Sequence, residues 1–230
     1  MFEVTLRTTM ERDVLIENPL QTADAEAGVP MRRGERRKQL TKRRLLDAAA
    51  EIYAKVGVEG ATISAITEQA DVGLGTFYLH FADKDAIALA VCNVCVSRVL
   101  ADEREAVEDV RSVGGDPDLL AIFSRVMCAR AAESPGLFCA LLRWEGPRDG
   151  SEGTSFERNE LRRALTEPLA ERFRAGMNSG RYRTEDPPLA ASAVLGVFGS
   201  CIPAWVASGR TDWNALGTFI ERTIVAMYRR

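Results

Sequence analysis

From Thr41 to the last residue, apolar side chains recur three and four positions apart, and no stretch alternates for long enough to suggest a strand. Leu45, Leu46, Ala49, Ile52, Tyr53 and Val56 share one face of a first helix. Gly57 is placed to stop that helix, and Glu51 and Lys55 form an i,i+4 pair on its wet side. Thr62 then caps a short helix over 63–70, and Asp71-Val72-Gly73 reads as a tight turn. A second short helix follows from Leu74 to Phe81, and Asp83 caps a third that runs to about Val110. Further helical segments near 117–132, 135–144, 155–178, 188–207 and 212–229 are separated by Gly, Pro and acidic breakers, with a capping box at Thr154-x-x-Glu157. The expected fold is all-α.

Charge is unevenly spread along the chain. Residues 1–30 carry two Arg against six Asp/Glu and show no sustained periodicity, so an acidic tail is expected there, with Met31 an alternative start. Residues 31–56 reverse the balance, with nine Lys/Arg against three Asp/Glu. A basic block on an otherwise acidic chain suits a meeting with a polyanion, although a solvated charged helix would look the same. Five cysteines, at 92, 95, 128, 139 and 201, lie in apolar stretches, as expected of a reduced, cytoplasmic protein. The first thirty residues lack the basic start and apolar core of an export leader.

The stretch VGLGTFYLHF at 72–81 raises the question of chemistry. It lacks the third glycine of a dinucleotide fingerprint and the strand that would precede one, and no GK[ST] follows. His80 is the single histidine, so a histidine metal cluster is excluded and a catalytic triad would have to use it. Cys92-x-x-Cys95 has no second pair and reads as core. No catalytic residue, metal ligand or cofactor is assigned. A helix, a tight turn and a second helix behind a basic segment make the layout of a helix-turn-helix. Phe77 and Phe81 would anchor its second helix, leaving Leu74, Gly75, Tyr78 and Leu79 outward. Glycine at 75 permits close backbone approach, and the hydroxyls of Thr76 and Tyr78 suit phosphate oxygens. Lys84 in the first turn of the next helix opposes the macrodipole, a conflict that a phosphate there would remove.

Residues 40–91 resemble the DNA-binding domain of the TetR family of transcriptional regulators. The resemblance rests on Gly60, Thr62 and Ile66, then Val72 through Phe81, then Lys84 and Ile87. It implies DNA contacts or bracing roles for Thr62, Ser64, Leu74, Gly75, Thr76, Tyr78, Leu79, His80 and Lys84. Arg43 and Arg44 belong to a basic arm with Arg32, Arg33, Arg36, Arg37, Lys38 and Lys42 that adds sequence-independent attraction. This chain departs from the family pattern at Thr67, Asp71, Gly73 and Leu74. Asp71 tolerates the left-handed turn, and Leu74 with Leu79 favours thymine methyls and DNA shape over guanine readout.

The organisation expected is a tail over 1–30, an N-terminal three-helix helix-turn-helix domain over 31–85, and a larger C-terminal helical ligand-binding and dimerisation domain over 86–230. Its partners would be a double-stranded DNA operator, a small-molecule effector and a second copy of the chain, with no membrane. The resemblance places the dimer interface in the last two long helices, with Ile220, Ile224 and Met227 on one face. Phe123, Met127, Phe138, Leu141, Trp144, Phe173, Met177, Phe198 and Trp205 are candidates to line a pocket for a hydrophobic or aromatic effector, with Arg143 or Arg174 near an acidic group. Plain core packing explains the same residues. Two rivals stand beside this reading. One is a helical protein–protein module with a basic arm. The other uses the uncharged stretch Pro187 to Gly209 as a membrane anchor.

Overall fold

The computed structural model describes residues 33–146 and 160–230. Among them are nine helices: α1 (Arg33–Gly60), α2 (Ile63–Gln69), α3 (Leu74–Tyr78), α4 (Lys84–Ser112), α5 (Leu119–Glu133), α6 (Pro135–Arg143), α7 (Glu160–Asn178), α8 (Pro187–Ala207) and α9 (Trp213–Tyr228). The fold is all-α, and the described residues contain no strand beyond a single bridge between Tyr182 and Arg229. The acidic tail, Arg32 and the Thr154–Glu157 capping box lie outside the described residues.

Local chemistry accounts for most helix starts. Thr62, Asp83, Asp118, Asp186 and Asp212 each cap a helix, the side chain accepting from an N–H three residues on. Pro135 and Pro187 occupy first-turn positions, where their missing N–H costs nothing. Two boundaries differ from expectation. The basic segment forms the first turns of α1, which begins at Arg33 rather than Thr41, because Arg, Lys, Glu and Gln are good helix formers. Regular helix then breaks at Gly57, with φ 76° and ψ 169°, before a last turn to Gly60. The other difference is α3, which ends at Tyr78 rather than Phe81. The amides of His80 and Phe81 both return to the Phe77 carbonyl, turning the chain so that Phe81 re-enters the core.

One continuous core joins both ends of the molecule. Leu45, Ala49 and Tyr53 of α1 are fully buried, as are Ile66, Phe77 and Ile87. α1 packs on α2, α4 and α6. At Gly136 a side-chain carbon would lie 2.4 Å from the Ala54 carbonyl, so only glycine lets α6 come this close to α1. Elsewhere α7 packs on α8 and α5 on α9. The long helix α4 connects the two regions, spanning about 43 Å at 1.5 Å per residue.

Helix α8 is long and apolar enough to cross a membrane, with no charged residue along it. It nonetheless buries Ala190, Ala191, Val194, Leu195, Phe198 and Ile202 against neighbouring helices, as a packed helix does. The expected dimer face needs correction in detail. Ile220 and Ile224 are wholly buried within the chain, and Phe219 and Met227 are the large apolar side chains that α9 turns outward.

Candidate nucleic-acid interface

The helix-turn-helix is built by α2, the turn at 70–73 and α3. Thr62 accepts from the Ala65 N–H at 3.1 Å, fixing the start of α2 beside exposed Ser64. Thr67 stands where a smaller residue is usual. It is accommodated because its buried hydroxyl donates to the Ser64 carbonyl at 3.0 Å. Asp71 takes φ 50°, the left-handed conformation expected of the turn. Gly73 is extended and caps α3 through its carbonyl, which accepts from Thr76 at 2.9 Å and Phe77 at 3.3 Å.

Phe77 and Phe81 lock α3 to the core with ring centroids 5.8 Å apart. The opposite side of α3 is left to solvent. Leu74 is 53%, Tyr78 55% and Leu79 76% exposed, and Gly75 lies exposed among them. The Tyr78 ring meets Phe77 edge-on at 5.4 Å, which aims the phenol outward. A side-chain carbon added at Gly75 would touch nothing within 4 Å. No contact within the protein therefore calls for glycine at this position.

Three sequence-assigned cations have partners inside the protein. Arg44 pairs with Asp71 at 3.2 Å, and Arg43 lies 3.9 Å from Asp47. Lys84 donates to the Glu59 carbonyl at 3.0 Å, so the negative end of α1 resolves its conflict with the α4 dipole without a phosphate. Arg44 and Lys84 brace the motif, whereas the Arg43 pair lies within α1. Arg33, Arg36, Arg37, Lys38 and Lys42 form no ion pair with described residues and remain available along α1. His80 is half-buried, with its pKa below the ordinary 6.5. Burial is the first cause, and the charges of Lys38 and Lys42 add to it. Lys42 also lies over the Phe81 ring at 5.9 Å. His80, Lys38, Lys42, Thr76 and Tyr78 thus supply donors around the exposed side of α3. The bracing pair Arg44–Asp71 had no sequence signal beyond an aspartate at a turn.

The candidate effector residues are close-packed. Phe123, Met127, Phe138, Leu141, Trp144, Phe173 and Phe198 are buried, and Met177 and Trp205 are half-buried. Phe123 and Phe198 meet at 5.8 Å, whereas Phe173 meets Tyr182 and Tyr228 edge-on at 5.9 and 4.7 Å. The Trp205 indole N–H is buried without a partner among the described residues, beneath the Arg210 guanidinium 5.0 Å from its ring. Cavities among the described residues lie elsewhere. One of about 170 Å³ is lined by Arg44, Asp47, Ala48, Glu51, Gln69 and Ala70. Another, of about 350 Å³, lies between α4, α5 and α7. Burial raises the thiol pKa of Cys92, and that of Cys95 to about 11, which leaves both protonated within α4.

Residues 45–91 match the family described as bacterial regulatory proteins, tetR family. The HTH-type transcriptional regulator UidR of Escherichia coli K12 is 28% identical over 142 residues, covering 62% of this chain and 69% of that one. Among solved structures, the fatty acid degradation regulator FadR from Bacillus halodurans superposes with a TM-score of 0.64 at 19% identity, over 80% of this chain and 94% of that one. FadR from Bacillus subtilis in complex with stearoyl-CoA gives 0.61 at 22% identity, over 79% and 96%. At these identities the structural likeness is one of fold. The family match covers the helix-turn-helix, and the solved neighbours share the helical arrangement around it: residues 45–91 carry the helix-turn-helix of the tetR family of bacterial regulatory proteins.

Proposed function

We infer that the protein is a cytoplasmic, homodimeric repressor that leaves a palindromic operator when a small molecule binds its C-terminal region. The observation carrying the DNA-binding part is the exposed side of α3, where Leu74, Gly75, Tyr78 and Leu79 lie open around a glycine that nothing in the protein requires. Leu74 and Leu79 would meet base edges, chiefly thymine methyls. Thr76, Tyr78, His80 and the free cations of α1 would hold phosphates. Thr62 and Ser64 lie at the start of α2, where the helix would approach the backbone, Arg43 would add attraction from α1, and Arg44 and Lys84 act as positioning residues.

One such reading head buries too little surface for selectivity, so two copies about 34 Å apart are expected on successive major grooves. The exposed faces of α8 and α9 support this pairing, since Leu189, Phe219 and Met227 stand there in contact with water. Effector control is supported by the relatives, one of which is solved with stearoyl-CoA. For release, the effector must bind the form that is off the operator more tightly.

The test is a selection of genomic fragments by the purified protein at moderate salt, with Tyr78→Phe in parallel. Tyr78 serves better than Lys84, whose loss would also break a contact to α1. An enriched palindrome, retained about tenfold less well by Tyr78→Phe at unchanged thermal stability, is the expected result. Uniform retention of all fragments that falls steeply with salt would replace this reading with a basic interaction module.

A further inference from the structure

The 350 Å³ cavity has apolar walls from Leu100, Val107, Leu119 and Pro168, with Glu103 and Arg172 meeting at its charged side. Arg172 reaches across from α7 and donates through Nε and Nη2 to the two carboxylate oxygens of Glu103 on α4, while its Nη1 donates to the Pro168 carbonyl. The two partners are not equivalent. The Glu103 side chain is 2% exposed and that of Arg172 20%. A carboxylate this deep has to stay paired, because an isolated buried charge is strongly destabilising. An arginine near the surface can instead turn its head into water while its stem stays packed. A ligand entering this pair therefore displaces Arg172 at lower cost than it displaces Glu103.

The charges lining the mouth balance, Glu103 and Glu171 against Arg104 and Arg172, so the sign of the ligand is set by Glu103, the one of the four that is buried. At the rim Glu171 assists and Arg104 opposes, both of them exposed. The volume is at the small end of ligand pockets, which begin at about 300 Å³.

We propose that this cavity binds a small amphipathic organic cation. Its apolar body would rest on Leu100, Val107, Leu119 and Pro168, and its ammonium or amidinium would pair with Glu103 in place of Arg172. The proposal rests on the effector-regulated reading above and gives the effector a site apart from the Phe123–Phe198 core. It also supplies a route to DNA. Glu103–Arg172 and Asp102–Arg130 are two ion pairs that tie α4 to the helices behind it, and the first turns of α4 pack on α1 of the reading head. A cation that takes Glu103 unties α7 from α4.

The test is calorimetry on the whole protein with a series of phenylalkylamines of increasing chain length. 4-Phenylbutanol and 4-phenylbutyrate serve as neutral and anionic matches to 4-phenylbutylamine. Amines should bind at least about tenfold more tightly than the alcohol or the acid. Glu103→Gln should weaken amine binding by about tenfold or more. Arg172→Met, which removes the competitor, should strengthen it by about tenfold, a sign that a merely structural role would not produce. If either variant fails to fold, Leu119→Trp fills the cavity with the ion pair intact and should abolish amine binding. Binding that ignores the head group, preference for the acid, no binding of any amine, or amine affinity unchanged in Glu103→Gln and Leu119→Trp would each overturn the proposal. Release of selected DNA fragments is read separately. Glu103-dependent amine binding without DNA release keeps the cation site and removes the effector reading.

Discussion

Arg44 in α1 donates to Asp71 twice, at 3.3 Å to its carbonyl and at 3.2 Å to its carboxylate, and so holds the one non-glycine residue with positive φ among the described residues. The turn that sets α3 against α2 is thereby tied to the first helix. Asp71→Gly should leave stability nearly unchanged, because it relieves the left-handed backbone while losing an exposed ion pair of small worth. Asp71→Val should cost about 1–2 kcal/mol, the penalty of that conformation for an ordinary residue. Urea midpoints of the two variants check this, and equal midpoints would mean the turn does not constrain the motif.

Gly75 separates folding from function. Its added side-chain carbon meets open space, so Gly75→Ala should stabilise the protein by up to about 1 kcal/mol through helix propensity. The same methyl group would stand between α3 and a docked groove, and retention of selected fragments should fall. Thermal unfolding and fragment binding, measured on one preparation, would show stability and affinity moving in opposite directions. A variant that gains stability and keeps full affinity would remove the close-approach explanation of this glycine.

The start of α5 is a stability node. The Tyr182 hydroxyl donates to Asp118 at 2.9 Å and accepts from the Leu120 N–H at 3.2 Å, and Arg229 reaches the same aspartate at 3.1 Å. Tyr182→Phe leaves the buried Leu120 N–H unsatisfied and should cost about 1–3 kcal/mol. Fragment binding by the folded variant should be unchanged, since α5 lies far along the chain from the reading head. A shift of less than a few tenths in unfolding free energy would show that this N–H finds water.

His80 predicts a pH dependence. In the free protein, burial and then Lys38 and Lys42 hold its pKa below 6.5, and these two lysines are the charged groups that face it. Between the folded and unfolded pKa values the unfolded chain binds more protons, so His80 lowers stability as pH falls through that window. A DNA phosphate against the same cluster favours the imidazolium, so binding takes up a proton. Affinity for selected fragments should therefore rise from about pH 8 to about pH 6, and His80→Gln should flatten the rise. A wild-type profile as flat as the variant's would place His80 away from phosphate.

Much of this protein was decided by residue order alone. Helical spacing, capping residues and the Gly60–Ile87 motif specify an all-α chain with its reading head near the N-terminus, because each depends on contacts within a few residues. The same local rules start α1 at Arg33, ahead of the helix start expected at Thr41. Contacts between distant segments were not legible in this way. Nothing local announces that Lys84 meets Glu59, that Arg44 braces Asp71, or that Arg172 crosses 69 positions to a buried Glu103. Nor does periodicity say which side of α9 faces inward when both carry large apolar residues; packing on α5 chose Ile220 and Ile224 and left Phe219 and Met227 to water. Likewise composition left Phe123 through Trp205 open to either a pocket or plain core packing; most of them are buried, and a cavity stands beside α4. Whether a side chain fills a core or lines a cavity depends on how whole helices dock, and only the tertiary structure decides that.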